Sequence, residues 1–299
     1  MGRGMELRRF ASAAAFLEVA QAWLERREVE NSLMLGLAVR FAAAAAAPVA
    51  APYYAALVRG TDPCFAVLMT PPHRLILAGA HDDAASAAQH VAADLRCAGL
   101  LAPGVIGRKD TAVAFAAAWA KHEGGTAHTL REERIYDIKR VASVPQPQGE
   151  LRTASPDDAP LVAGWLRAFH HEATPDNPPG DADRMARRGI HERRFVLWQT
   201  DKPVAMAASA RPTRTSIGIN AVYTPIEHRR RGYATALVAG LCRRLLVGDR
   251  RTCCLYADLA NPTSNHIYRT IGFRPVCDAM EIAFAGADAP QQETGHEPA

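Results

Sequence analysis

The stretch that decides the fold reads Val222-Tyr-Thr-Pro225-Ile-Glu-His-Arg229-Arg-Arg-Gly232-Tyr-Ala234-Thr-Ala-Leu-Val238. It starts as an apolar strand end, breaks at a proline, passes through three arginines and opens a helix on Gly-x-Ala. The first turn of a helix carries backbone N–H groups without carbonyl partners and the positive end of the macrodipole, so it can hold a pyrophosphate. Gly232 and Ala234 have the smallest side chains, which lets phosphate oxygens approach the main chain, while Arg229, Arg230 and Arg231 add charge-assisted contacts. Behind them Ala234, Leu237, Val238, Leu241, Cys242 and Leu245 fall on one helix face.

The upstream sequence predicts a short strand from Glu150 to Thr153. A helix from Pro156 to about His171 follows, with Ser155 as N-cap and Pro156 at the first helical position. A Pro/Gly-rich loop from Thr174 to Gly180 and a short basic helix come next. Three antiparallel strands are then expected: 194–199, 204–211 after a turn at Asp201-Lys202, and 216–223. Downstream, the run 253–259 reads as a buried strand. Asn261 and Pro262 then open a helix with Ile267, Tyr268 and Ile271 on one face, and Gly272 stops it. Final strands are expected from Phe273 to Phe284 and a disordered polar tail over 286–299.

The arginine loop resembles motif A of the GNAT superfamily of N-acetyltransferases, Q/R-x-x-G-x-G/A, here Arg229 to Ala234. Asp258-Leu-Ala-Asn261-Pro-Thr-Ser-Asn265-His-Ile-Tyr268-Arg-Thr-Ile-Gly272-Phe273 is similar to motif B of the same family. The two motifs lie at the expected distance, and the resemblance spans roughly 150–284. It implies an α/β fold, of the α+β kind with a mixed sheet, with acetyl-CoA as cosubstrate and direct acetyl transfer to an amine. Carried over by position, the backbone of Arg229, Arg230, Arg231, Gly232, Tyr233, Ala234 and Thr235 would hold the pyrophosphate. Val222, Tyr223 and Thr224 would pair with the pantetheine arm and polarise the thioester carbonyl, Asn261 would touch pantetheine, and Tyr268 would be the catalytic proton donor to the departing thiolate. Many relatives place a Glu on the strand before motif A. Here that strand, Ser216-Ile-Gly-Ile-Asn220-Ala-Val222, has no carboxylate, so amine deprotonation would fall to water or to a carboxylate such as Glu172 or Asp176. The histidines His170, His171 and His191 are scattered over helices and loops and are not assigned to catalysis.

The first half repeats the order of elements more faintly. Helices near 12–25 and 30–46 precede strand-like runs at 54–59, 65–69 and 75–78, then a helix over 83–97, the segment 104–107, a helix over 110–122 and a strand over 129–138. This predicts two tandem domains: a degenerate GNAT-like one over 1–143, a linker Val144-Pro-Gln-Pro-Gln-Gly149, and a catalytic one over 150–285. The corresponding turn of the first half, Leu77-Ala-Gly-Ala-His-Asp82-Asp83, lacks the arginines and the Gly-x-Ala spacing. Its two aspartates occupy the helix end by their own charge, so one acetyl-CoA per chain is expected. The first domain is expected to pack against its partner and wall the acceptor cleft.

Composition sets the bounds around this reading. The chain has 299 residues, 48% hydrophobic and 22% charged, with 35 Lys plus Arg against 31 Asp plus Glu. A net charge of +4 is too mild and too evenly spread to make nucleic acid the expected partner. Six cysteines without CxxC spacing predict reduced core thiols, with neither a disulfide framework nor a metal site. The apolar run 41–58 carries Pro48 and Pro52 and is not expected to span a membrane, and a cytoplasmic location is expected. A homodimer stays open, as does the acceptor. Two other functions stay open beside acetyl transfer: a non-catalytic acyl-CoA-binding regulatory module, and an RNA- or anion-binding protein using the arginine triplet with Arg243, Arg244, Arg250 and Arg251.

Overall fold

The computed structural model describes residues 4–44, 51–175, 180–248 and 250–286. In chain order the elements are β1 (Glu6–Phe10), α1 (Ala13–Leu24), α2 (Ser32–Ala42), β2 (Tyr53–Arg59), β3 (Asp62–Met69), β4 (Leu75–Gly79), α3 (His81–Cys97), β5 (Gly104–Arg108), α4 (Lys109–Glu123) and β6 (Gly125–Ile138). They continue as β7 (Glu150–Thr153), α5 (Ala159–Ala173), α6 (Ala182–His191), β8 (Phe195–Gln199), β9 (Pro203–Ala210), β10 (Ser216–Tyr223), α7 (Tyr233–Leu245), β11 (Thr252–Asp258), α8 (Pro262–Ile271) and β12 (Arg274–Gly286). This mixed α/β order is the expected one, with two differences. The strand β1 precedes the first helix, and the chain ends in one long strand where several were expected.

Two compact units result: Met1–Leu24 with Phe41–Glu132 and Asp278–Ala299, and Glu25–Arg40 with Glu133–Cys277. The expected division at 144–149 follows the chain, whereas the units follow strand pairing. The first takes residues from the far C-terminal end, and the second takes most of α2 and the end of β6. The segment expected to be a linker is anchored within the second unit. Val144 is buried, the Gln148 carbonyl accepts a hydrogen bond from Trp198 Nε1 at 3.1 Å, and Gly149 sits at φ +113° where a Cβ would strike the Gln199 carbonyl. Gly286 ends β12, and the rest of the expected disordered tail lies outside the described residues.

In the first unit β1 pairs antiparallel with β2, β2 with β3, β3 with β4 and β12 with β5, while β4 and β5 are parallel. Its core stacks Phe65, Phe115, Trp119 and Phe284, with ring centroids 6.2, 5.9 and 5.0 Å apart in succession, between this sheet and α3 and α4. Glu281 on β12 is buried and pinned by Arg74 Nη1 at 2.6 Å and Arg131 Nη1 at 3.0 Å. A buried carboxylate held by two guanidiniums fixes the register of this C-terminal strand.

In the second unit β7, β8, β9 and β10 run antiparallel, β10 and β11 are parallel, and Glu133 to Ile138 of β6 pair antiparallel with β11. One face carries α7 and α8, burying Leu237, Val238, Leu241 and Ile271 against Ile217, Ile219, Leu255 and Ala257. Gly240 lets α7 approach β7, since a Cβ there would lie 2.8 Å from Leu151 Cδ1. The other face carries α5 and α6, with Val162, Leu166 and Ile190 against Leu197 and Met206. The Ser155–Asp158 capping box starts α5, and Arg152 clamps Asp158 with Nη1 at 2.6 Å and Nη2 at 2.8 Å. Glu28, just before α2, accepts hydrogen bonds from Thr213 Oγ1 and the Thr215 backbone, each at 2.7 Å, which ties the α2 segment to the β9–β10 turn.

The cysteines correct one expectation. Cys242, Cys253 and Cys254 are buried, but Cys64 and Cys277 are half-buried and Cys97 is exposed at the end of α3, so only three are core thiols. All six are free. Among the described residues no helix is long and apolar enough to cross a membrane, and no group of His, Cys, Asp or Glu is arranged for a metal ion. Part of the apolar run 41–58 lies outside the described residues.

Candidate functional site

The site of the second unit begins with a defect in β10. Its ladder to β9 is regular through Asn220 opposite Ala208, then slips before Tyr223 opposite Met206, and Ala221 between them has φ +48°. A non-glycine residue in the left-handed region marks strain held by its surroundings, here the β-bulge that bends the strand. The parallel pairing of β10 with β11 covers only Ser216, Ile217 and Gly218 opposite Thr252, Cys253 and Cys254. Beyond Gly218 no pairing between them is described, and the remaining residues of both strands border a slot in the sheet. Backbone N–H and C=O groups facing such a slot are available to an extended ligand, as at a free sheet edge. Val222, Tyr223 and Thr224 lie on its β10 side. The Thr224 hydroxyl and the Asn220 side-chain oxygen are buried there without a hydrogen-bond partner.

At the end of β10 the chain passes Pro225 and a single 3-10 turn, then reaches the start of α7. The signs of φ alternate over Arg230 (φ +62°), Arg231 and Gly232 (φ +81°), a curl that turns successive N–H groups toward a common side and suits an anion. Gly232 is the N-cap of α7 with no side-chain cap, and a Cβ on it would meet nothing nearer than Pro147 Cγ at 4.0 Å. What requires glycine here is the backbone conformation, since the space is open. Tyr233, Ala234 and Thr235 form the first helical turn and are half-buried. His228 is tucked under the loop with Nδ1 buried and unpartnered.

The arginines divide. Arg229 turns back: its Nε donates to the Thr224 carbonyl at 2.8 Å, its Nη2 to Glu172 Oε2 at 2.7 Å, and its guanidinium lies 5.8 Å from the centroid of the Tyr223 ring. The side chain of Arg229 is therefore engaged with the loop backbone and with α5. Arg230 and Arg231 are exposed and make no hydrogen bond or ion pair among the described residues. Glu172 also accepts from the Tyr223 hydroxyl at 3.3 Å, and burial followed by this carboxylate raises the Tyr223 phenol above its ordinary value. Of the two carboxylates named as bases, Glu172 is thus at the end of the slot but engaged in an ion pair, and Asp176 lies outside the described residues. His170 bonds Thr174 Oγ1 at 2.8 Å within α5 and its cap. His171 and His191 are exposed on α5 and α6.

Tyr268 lies on the inner face of α8, 8% exposed, with ring centroids 6.4 Å from Tyr136 and 5.8 Å from Phe273. Burial pushes its phenol up to about 12. Asn261 caps α8, its Oδ1 accepting from the Ser264 N–H at 3.0 Å, so the side chain is used locally. The sequence did not single out Asn265, the buried knot of this corner. It accepts from Tyr136 Oη at 2.9 Å and donates to the carbonyls of Asp258 at 2.7 Å and Asn261 at 2.8 Å, fixing the end of β11 to α8. Asn220 was missed as well. An amide inside an apolar strand was its only signal, since Asn is depleted from strands.

The corresponding corner of the first unit is closed. Asp82 and Asp83 occupy the first turn of α3, Asp83 is paired with Arg59, and His81 Nδ1 lies 3.1 Å from the Asp110 carbonyl.

With this geometry in view, residues 197–281 match the family described as FR47-like protein. No curated protein matches the chain. Among solved structures, a Drosophila protein of structural-genomics origin is 14% identical over 94% of this chain and 99% of that one, with a TM-score of 0.64. A GCN5-related N-acetyltransferase from Sphaerobacter thermophilus is 17% identical over 95% and 98%, at 0.58. A tandem GNAT protein from the clavulanic acid biosynthesis pathway is 14% identical over 94% and 98%, at 0.55. The fold is that of the tandem GNAT proteins.

Proposed function

We propose that this GNAT-fold chain is an acetyl-CoA-dependent N-acetyltransferase whose working site lies in the second unit. The observation that carries the reading is the conjunction at β10: a bulge opens a slot beside β11, and the same strand runs directly into an uncapped helix start with left-handed Arg230 and Gly232. A long ligand with an extended arm at one end and a pyrophosphate at the other has both needs met within one strand and one turn. Two buried polar atoms beside the slot, Asn220 Oδ1 and Thr224 Oγ1, have no hydrogen-bond partner in the protein and are available to a ligand.

The residues fit acetyl-CoA as follows. The backbone of Arg230 to Thr235 would hold the pyrophosphate, with Arg230 and Arg231 as mobile countercharges. The backbone of Val222 to Thr224 would pair with the pantetheine arm and direct an N–H at the thioester oxygen, where negative charge develops. Bound acetyl-CoA supplies the acyl group: a C–N bond forms at the acceptor amine, the C–S bond breaks, one proton leaves the nitrogen and one reaches the sulfur. Tyr268, held up at about 12, keeps its proton across the working pH range. Its proton affinity exceeds that of a thiolate, whose ordinary value is about 8.5, so the phenol stabilises the departing sulfur by donating a hydrogen bond in the transition state. Asn261 acts through the cap that places α8. The amine loses its proton to water, with Glu172 a secondary route because its charge is already shared with Arg229.

The test is thiol release from acetyl-CoA, followed across classes of amine, with mass spectrometry of the acetylated product. Turnover that depends on the amine supports transfer. Tight acetyl-CoA binding without turnover for any amine would favour the regulatory acyl-CoA-binding module.

A further inference from the structure

The face of the slot opposite α7 carries two buried polar groups of opposite hydrogen-bonding sense. Ile217 and Ile219 point into the core under α7, so Gly218 and Asn220 face the other way. Arg211, the residue after β9, lies on that side: its Nη2 is 3.6 Å from where a Cβ of Gly218 would stand. Its backbone is held at φ +49°, and Gly36 of α2 packs so closely against it that a Cβ there would come within 2.5 Å of Arg211 Cβ. A left-handed arginine clamped by a helix is a costly arrangement of a kind that clusters at ligand sites. Its Nε is buried without a partner, and among the described residues its guanidinium takes part in no hydrogen bond or ion pair. The nearby carboxylate, Glu192, is already shared by Arg188 and Arg194, each at 2.7 Å. The surroundings are cationic enough that burial and the charges of Arg188, Arg194 and Arg211 together lower the pKa of Arg40 at the end of α2. Along β10, Asn220 stands two residues from Gly218 on the same face, roughly 6.6 Å away at the ordinary rise of a strand. Its Oδ1 is the unpartnered acceptor.

We propose that the amine acceptor carries a carboxylate: Arg211 receives the carboxylate and Asn220 Oδ1 receives an N–H of the amine, which makes an α-amino acid the class of substrate. This rests on the acetyl-transfer reading of the same site. Arg211 beside Gly218 and Asn220 two residues on thus stand at neighbouring positions of one face, where a molecule with ammonium and carboxylate on one carbon can hydrogen-bond to each. The planar guanidinium suits a carboxylate, and its one positive charge matches one negative charge. Asn220 immediately precedes the bulge, so the bound nitrogen lies beside the backbone assigned to the thioester carbonyl.

The test compares each of the common amino acids with its own carboxamide as acceptor, using the full chain and acetyl-CoA, together with calorimetry of acetyl-CoA binding. The free acid should be preferred by roughly tenfold or more in kcat/KM, as a charge-assisted contact allows. Arg211→Gln should bring the ratio near one, chiefly by raising KM for the acid, and Arg211→Lys should recover part of it, while acetyl-CoA affinity stays within about twofold of the parent. Equal use of acid and carboxamide, turnover confined to amines without a carboxylate, or an unchanged ratio in Arg211→Gln would overturn the proposal. Failure of the parent protein to bind acetyl-CoA would instead overturn the transfer reading beneath it.

Discussion

Arg229 Nη2 donates to Glu172 Oε2 at 2.7 Å, and this pair fastens the loop before α7 to the last turn of α5. Both partners are well exposed, so the contact contributes little to global stability, at most about 1 kcal/mol. Its consequence is local. It engages the Glu172 carboxylate with a guanidinium, while Arg230 and Arg231 beside the uncapped helix make no ion pair among the described residues. Glu172→Gln should therefore lower kcat by less than about threefold, a small part of the range typical of a general base. A pH–rate profile would check this, since loss of its acidic limb together with most of the activity would identify Glu172 as the base.

Tyr268 makes a sharper case. Replacing it with Phe should lower kcat by roughly 10²-fold with little change in acetyl-CoA affinity. A pKa raised by burial also makes a stability statement. The stabilising contribution is complete below the unfolded value near 10 and is lost as pH climbs through the folded value of about 12. Tyr268→Phe should thus be less sensitive to alkali than the parent between those pH values, as urea melts across that window would show. A kcat unaffected at every pH would leave Tyr268 a core residue only.

Asp158 titrates in the opposite sense. The Arg152 guanidinium holds its carboxyl down at about 2 against an ordinary value of 3.8, and hydrogen bonds from Ser155 add to this. The stability it provides is present above the unfolded value and lost as pH falls toward 2. Asp158→Asn should cost about 2 kcal/mol at neutral pH, and the cost should vanish near pH 2. Denaturant titrations of both proteins at the two pH values would test this, and a difference independent of pH would contradict it.

Much of the second unit was legible because its signals are local. Pro156, Asn261-Pro262 and Gly272 mark helix ends by backbone chemistry, and the apolar face from Ala234 to Leu245 has helical spacing. β1 was missed because Glu6-Leu-Arg-Arg-Phe10 is an edge strand with charges at three of its five positions, which gives no alternation to read. The composition of the units was illegible for a different reason. Periodicity marked 129–138 as a strand, but nothing local tells that 133–138 pairs with β11. The bulge at Ala221 was equally hidden, since neither glycine nor proline announces it, and with it the positions of Asn220 and Arg211.

Glu281 tests the grouping of elements directly. Removing its carboxylate takes a buried ion-pair partner from both Arg74 and Arg131, and a broken buried pair costs about 3 kcal/mol or more. Glu281→Ala should lower the urea midpoint accordingly. A loss below about 0.5 kcal/mol would show that β12 is not held in the first unit as described.

The most direct measurement is calorimetric titration of the full chain with acetyl-CoA. The full chain is required because the second unit includes Glu25–Arg40 and residues 133–138, which a fragment starting at 150 would lack. One site per chain is expected, because Asp82 and Asp83 fill the helix start of the first unit. The double substitution Arg230→Gln and Arg231→Gln should weaken binding about tenfold at low salt and less at high salt, while leaving the fold intact. Two equivalent sites, no binding, or an affinity indifferent to both arginines and to salt would contradict a single phosphate cradle at the start of α7.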